Sequence, residues 1–145
     1  MTARSQFLDH LEQHCDTWGF QAPESLLYYL ADLLAERIDR TEIIPQPSFA
    51  ERYLELYSCH RLSEFKDYAD SALFFVSLLP EYGRRRGLDI SYYATLGIST
   101  YYTLGDLSKD ARFTQLGNWF YYLQRFLNSA LHPDQKLSLY SWDKY

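Results

Sequence analysis

Apolar residues recur at spacings of three and four along nearly the whole chain, and two-residue alternation is rare. Since a helix turns by about 100° per residue, this spacing places apolar side chains on one helical face. The first such segment, residues 5–17, buries Leu11 and Cys15 and is predicted to end at Gly19. The second, residues 23–40, opens with Pro23, which suits a first helical turn. Two consecutive helices are therefore predicted at the start of the chain.

The middle of the chain predicts two more helices after a short linker. Pro45 and Pro47 lie in the segment 43–47 and disfavour helix there. Ser48 is then predicted as an N-cap, because a glutamate follows three residues later in a capping-box pattern. A longer helix is predicted from Ser63 to Leu79. Its part from 69 to 79 is apolar almost all round, which is typical of a central helix.

The last two predicted helices follow a turn that contains two glycines. Asp89 is predicted to cap a helix that Gly105 closes, with Ala94 and Gly97 small enough for close helix packing. Ser108 is predicted to cap a final helix over residues 109–131. The sequence therefore predicts an all-α fold, an irregular bundle of about six helices. It forms a single domain over residues 1–133, followed by a non-helical C-terminal tail over 134–145.

Composition and charge exclude several function classes. Aromatic residues make up 18% of the 145 residues, with 14 Tyr, 9 Phe and 3 Trp, and the net charge is -5. An acidic chain does not suit sequence-independent nucleic-acid binding, which needs a basic surface. No apolar run is long enough for a membrane span, and no apolar leader is visible at the N-terminus. With only two cysteines, the chain is expected in the cytoplasm.

Motifs for catalysis or for cofactor binding do not appear. The sequence has no glycine-rich phosphate loop and no nucleophile elbow. His10 and His14 have a spacing that could share a metal, but no pattern supplies the remaining ligands. Asp67 and Asp70 are the candidates for acid/base chemistry, Asp70 in particular as a buried carboxylate, and the alternative role of Asp70 is a carboxylate paired to a tyrosine or an arginine. We therefore expect no catalytic residues, no metal, no cofactor and no enzyme activity.

The predicted final helix carries two apolar stripes rather than one. An ordinary core stripe is accompanied by a second stripe of Trp119, Tyr122 and Phe126. Either the chain itself, including its tail, covers this second stripe, or a partner does. Trp and Tyr dominate the energetics of protein interfaces. The leading hypothesis is therefore a helical protein-protein interaction module that binds another protein or a second copy of itself through Trp119, Tyr122, Phe126, Tyr140 and Trp142.

Two other sets of residues support alternative hypotheses. An apolar cavity between central helices would make the protein a carrier or sensor of a small molecule, with tyrosine hydroxyls placed among apolar rings. Its predicted wall consists of Phe74, Phe75, Tyr92, Tyr93 and Tyr101. The basic turn Arg84, Arg85 and Arg86 either complements the end of a helix or contacts an anionic partner.

Two adjoining segments also resemble a known family. Residues 70–80 form an apolar helix, and residues 84–97 add a basic turn and then a Tyr-Tyr pair at 92–93 followed by Gly97. This pattern is similar to that of a family of small helical bacterial proteins, mostly proteobacterial, of unknown function. Leu78 departs from the family pattern, which has a glycine there. The resemblance covers about a third of the chain and implies a bacterial helical fold with no known catalytic residues.

Overall fold

All regular secondary structure in the described part of the chain is helical. The structure, a computed structural model, describes residues 2–38, 49–59 and 61–131. This confirms the all-α class, but these residues form eight helices rather than about six. They are α1 (Ala3–Trp18), α2 (Glu24–Arg37), α3 (Phe49–Cys59), α4 (Leu62–Leu78), α5 (Pro80–Arg85), α6 (Ile90–Ser108), α7 (Ala111–Asn118) and α8 (Phe120–Leu131).

The chain divides into two compact units, Met1–Thr41 and Glu42–Tyr145. The prediction of one domain over residues 1–133 did not include this division. In the first unit, α1 and α2 pack against each other. The predicted end of α1 is confirmed, because Gly19 has φ 67° and the next residue donates its N–H to Cys15 O at 3.0 Å. Pro23 is the N-cap of α2 rather than a residue of its first turn.

The second unit is built around α4, which packs against α6 on one side and α8 on another. Ten residues of α4 are buried, which confirms that it is a central helix. The close approach predicted at Gly97 is also confirmed. A Cβ atom there would lie 2.9 Å from both the methyl group of Ala72 and the ring of Phe120. The missing side chain therefore lets α6 pack closely on both α4 and α8.

The end of α6 differs from the prediction. The helix continues past Gly105 to Ser108, and its C-cap is Lys109, which has φ 60°. Gly105 allows helices to pack closely, since a Cβ atom there would lie 2.4 Å from Thr114 Oγ1 of α7. The prediction that Ser108 is the N-cap of the next helix is also wrong. That role belongs to Asp110, whose side chain accepts the Arg112 N–H at 3.0 Å.

Two side-chain amides of α8 complete the C-terminal end of α4. The carbonyl of Val76 would normally accept from the backbone four residues later, but that residue is Pro80, which has no N–H. Gln124 donates its Nε2 to Val76 O at 3.3 Å instead, and Asn128 donates its Nδ2 to Ser77 O at 2.8 Å. The side-chain amides of Gln124 and Asn128 are buried. The helix break at the proline is therefore stabilised from a neighbouring helix.

The predicted helix over residues 109–131 is broken at Trp119. This residue has φ -101° and ψ 8°, and it is the C-cap of α7, while α8 begins at Phe120. The break and the short helix α5 account for the two helices beyond the predicted six. Among the described residues, no helix is both long enough and apolar enough to cross a membrane. The predicted cap at Ser48 and the predicted tail lie outside the described residues.

Candidate functional site

Exposed aromatic rings gather where α7 meets α8. Trp119 is 46% exposed and Tyr122 is 36% exposed. Their rings meet edge to face, with centroids 5.7 Å apart and an interplanar angle of 88°. Tyr121 and Tyr102 are also exposed. We call Tyr102, Trp119, Tyr121 and Tyr122 the aromatic face.

The packing of α6 against α7 holds this corner in place. Tyr102 of α6 donates its hydroxyl to Asn118 Oδ1 at 2.6 Å. Its ring lies directly over Gly117, where a Cβ atom would be 2.9 Å from the ring. Tyr102 therefore fixes the residue that precedes Trp119 while its own ring stays exposed. Sequence reasoning missed Tyr102 and Tyr121, since neither falls on the second stripe of the last predicted helix.

The structure removes Phe126 from the predicted exposed stripe. This ring is fully buried, as are Leu123 and Leu127. The helix break at Trp119 resets the register, so one helical wheel does not extend through all three predicted residues. The buried arc of α8 is wide enough to include Phe126, and only Trp119 and Tyr122 of that stripe are exposed. Tyr140 and Trp142 lie outside the described residues.

The residues predicted to wall an apolar cavity are mostly packed core rings. Phe74, Phe75, Tyr93 and Tyr101 are buried. The rings of Phe75 and Tyr93 meet edge to face with centroids 5.9 Å apart. The centroids of the Tyr101 and Phe120 rings are 6.1 Å apart. Tyr92 is 48% exposed, so the structure places it at the surface rather than on an interior wall.

A polar cleft lies elsewhere in the second unit, between α3 and α4, with a volume of about 520 Å³. None of the five rings predicted to wall a cavity lines it. The charged side chains on its wall have both signs, which differs from the mainly apolar lining of sites for apolar ligands. The lining residues are Arg52, Glu55, Leu56, Ser63, Glu64 and Asp67.

Asp70 is a fully buried carboxylate with both oxygens hydrogen-bonded. Tyr101 donates its hydroxyl to Oδ1 at 2.6 Å, and Lys66 donates its Nζ to Oδ2 at 2.8 Å. The predicted pairing of Asp70 with a tyrosine is thus found in the structure, and the cationic partner is a lysine rather than an arginine. A buried carboxylate whose two oxygens both accept hydrogen bonds is typical of a structural role, and here Asp70 joins α4 to α6.

The basic turn has contacts within its own helix. Arg84 pairs with Glu81, and the guanidinium of Arg86 lies 3.4 Å from the centroid of the Tyr82 ring. Arg85 is exposed. All three arginines lie at or just beyond the end of α5, where cations complement the helix dipole. This local role needs no bound anion.

Among the residues that the structure describes, no further metal ligands accompany the histidine pair of α1. His10 is exposed and His14 is partly buried. Burial, and next the charge of His10, lower the pKa of His14. Within the described ranges, no group of three or more His, Cys, Asp or Glu side chains could hold a metal ion.

Tyr68 anchors α3 to the core. Because its hydroxyl is buried, we expect the free energy of unfolding to fall at alkaline pH. It donates its hydroxyl to Phe49 O at 2.7 Å, its ring stacks on Phe49, and burial raises its pKa well above the ordinary value near 10. The unfolded chain ionises this phenol first, so its contribution is complete below about pH 10 and is lost as the pH rises further. We expect urea denaturation at pH 8, 10 and 11 to show falling stability.

The matched variant for this pH series is Tyr68→Phe, which keeps the ring and removes the ionising group. We expect its stability to fall less steeply above pH 10 than that of the wild type. Part of the slope remains, because burial also raises the pKa of Tyr93. Identical slopes for the two proteins would show that Tyr68 is not protected from ionisation in the fold.

Comparisons with known proteins do not place the chain in a family. No family model, curated protein or solved structure matches it. The resemblance to small helical bacterial proteins stays a prediction.

Proposed function

We propose that the protein is a non-catalytic helical interaction module that binds a protein partner through the aromatic face. The observation that carries this proposal is the exposure of Trp119 together with Tyr122 in edge-to-face contact. Large rings of this kind bury much area with little loss of side-chain freedom, and they are enriched among the residues that dominate binding energy. An exposed tryptophan on an ordered corner fits that role.

The packing around the corner supports the same proposal. Tyr102 donates a hydrogen bond to Asn118, and its ring packs closely against Gly117. These two contacts fix the backbone that precedes Trp119. A surface that is already ordered loses less entropy when it binds. The non-catalytic part of the proposal is supported by Asp70, since both of its oxygens already accept hydrogen bonds from Lys66 and Tyr101.

Site-specific photo-crosslinking tests this proposal. A photoreactive phenylalanine analogue replaces Tyr122 in one variant and Tyr92 in a matched control, because both tyrosines are exposed on helices of the second unit. In cells that produce the protein, we expect one discrete crosslinked partner from position 122 and none from position 92. The partner is then identified and purified for binding measurements with the unlabelled protein.

The double variant Trp119→Ala/Tyr122→Ala should bind that partner at least about 30-fold more weakly, because truncating two interface anchors costs about 2 kcal/mol or more. The control Tyr92→Ala should change the Kd by less than about threefold. The proposal is wrong if the double variant stays folded and retains wild-type affinity. It is equally wrong if positions 122 and 92 give the same crosslinks.

A further inference from the structure

Four hydroxyl groups form a continuous chain of hydrogen bonds between α3 and α6. On α3, Tyr57 donates its hydroxyl to Tyr53 Oη at 3.0 Å. Across the helix contact, Tyr53 Oη lies 2.6 Å from Ser99 Oγ, and Tyr57 Oη lies 3.1 Å from Thr103 Oγ1. The phenolic oxygen of Tyr57 therefore has two hydroxyl groups within hydrogen-bond distance, and Ser99 extends the chain beyond one of them.

The ring of Tyr57 is held in place while part of it stays open to solvent. It meets the rings of Tyr53 and Phe65 edge to face, with centroids 5.2 and 5.6 Å away. Phe65 is buried, whereas Tyr57 is 39% exposed. The packing therefore keeps the phenolic oxygen beside its hydroxyl neighbours and still lets a reagent reach the side chain.

The hydroxyl neighbours favour the ionised form of Tyr57. Hydrogen bonds to a charged acceptor are roughly twice as strong as bonds between neutral groups. Burial raises the pKa of Tyr57, but the hydrogen bonds of its three hydroxyl neighbours outweigh burial and hold this pKa below the ordinary value near 10. Burial also raises the pKa of Tyr53. Tyr53 therefore keeps its proton and can donate it to the ionised oxygen of Tyr57.

We propose that Tyr57 is a site of covalent modification, at which its phenolic oxygen accepts an acyl or sulfonyl group from an activated donor. The oxygen forms a new bond to the carbonyl carbon or the sulfur of the donor, and the bond from that atom to the leaving group breaks. The leaving group departs with the electron pair, and the phenolic proton is released to solvent. Because the ionised oxygen is the nucleophile, stabilising it speeds this reaction.

Labelling with an aryl sulfonyl fluoride tests this inference on the full chain. Peptide mass spectrometry follows the labelled fraction of each tyrosine over time at pH 8. The matched comparison is Tyr121, which is 49% exposed, so exposure alone would favour Tyr121 over Tyr57. We expect Tyr57 to be labelled several times faster than Tyr121 in the folded chain. In concentrated urea, where the hydroxyl neighbours are not in place, the two rates should be equal.

Two variants each remove one hydroxyl neighbour, Tyr53→Phe and Thr103→Val. Losing one hydrogen bond to a charged oxygen raises the pKa of Tyr57 by about one unit. The more basic oxygen is a better nucleophile, which restores about half of this loss, as it does for thiols. Labelling of Tyr57 should therefore slow about threefold, and its pH profile should move to higher pH, while labelling of Tyr121 stays unchanged.

Thr95→Val is the matched control for Thr103→Val. Both threonines lie on α6 and donate to the carbonyl four residues earlier, Ser91 O and Ser99 O, at 3.0 Å. Thr95 is exposed, and its loss should leave the labelling of Tyr57 unchanged.

Two results would overturn the inference. One is a folded wild-type chain in which Tyr121 is labelled as fast as Tyr57 or faster. The other is a Tyr57 rate and pH profile that are the same in the wild type, Tyr53→Phe and Thr103→Val. The first comparison uses the wild type alone, so it decides the matter even if a variant does not fold.

Discussion

Replacing Gly97 with alanine is expected to lower the free energy of unfolding by about 2 kcal/mol, because overpacking this close helix contact costs about 3 kcal/mol and the gain in helix propensity offsets about 1 kcal/mol of that. Alanine is the better helix former and by propensity alone would stabilise α6 by about 1 kcal/mol. Packing outweighs this gain, since the new methyl group would lie 2.9 Å from Ala72 Cβ and from the ring of Phe120. The Ala72 methyl group is attached directly to the backbone, so α4 itself must move.

The matched control is Thr95→Ala, which adds no atoms at an exposed position of the same helix. We expect Thr95→Ala to change stability by less than about 0.5 kcal/mol, as surface substitutions usually do. Urea denaturation followed by circular dichroism measures both variants. A Gly97→Ala protein as stable as the wild type would show that α4, α6 and α8 are not packed as closely as described.

Removing one oxygen atom from Tyr101 is expected to lower the free energy of unfolding by about 2 kcal/mol, the value of a buried hydrogen bond to a charged group. The Tyr101→Phe variant keeps the ring but leaves Oδ1 of the buried Asp70 without the donor at 2.6 Å. Lys66 still contacts the other oxygen. However, Lys66 is 41% exposed, so solvent weakens its compensating effect.

Tyr92→Phe is the control for this loss, because the Tyr92 side chain is half-exposed on the same helix. Its hydroxyl should contribute less than about 0.5 kcal/mol, measured by the same urea titration. If Tyr101→Phe and Tyr92→Phe had the same small effect, the carboxylate of Asp70 would not be the buried junction between α4 and α6.

The periodic pattern predicted the helical class and the central position of α4, since both depend on which side chains are apolar. It predicted the end of α1 at Gly19 but not the end of α6 or the break after α7. A glycine at position 105 is typical of a helix end, but Gly105 lies within α6. Its lack of a side chain instead lets Thr114 of α7 pack closely against α6. The amides of Gln124 and Asn128 that complete α4 depend on contacts between segments distant in sequence. These are tertiary effects, which local propensity does not contain.

The candidate site was predicted only in part, for a related reason. Trp119 and Tyr122 were found because they lie on a second stripe of an assumed continuous helix. Phe126 was placed outside because the buried arc of α8 was taken as narrower than it is, and the ring is fully buried. Tyr102 was missed because its role depends on Asn118, sixteen residues away. Separate helical wheels for α7 and α8 could not be drawn from the sequence, because the pattern does not show the break at Trp119.

The fluorescence of Trp119 tests the docking surface most directly. In a Trp18→Phe/Trp142→Phe background it is the remaining tryptophan, and it is 46% exposed in the free protein. When the partner crosslinked from position 122 is added, we predict a blue shift of its emission and reduced quenching by acrylamide, both saturating with binding. Emission and quenching that stay unchanged while the partner saturates would contradict the account, since the ring would then remain in water in the complex.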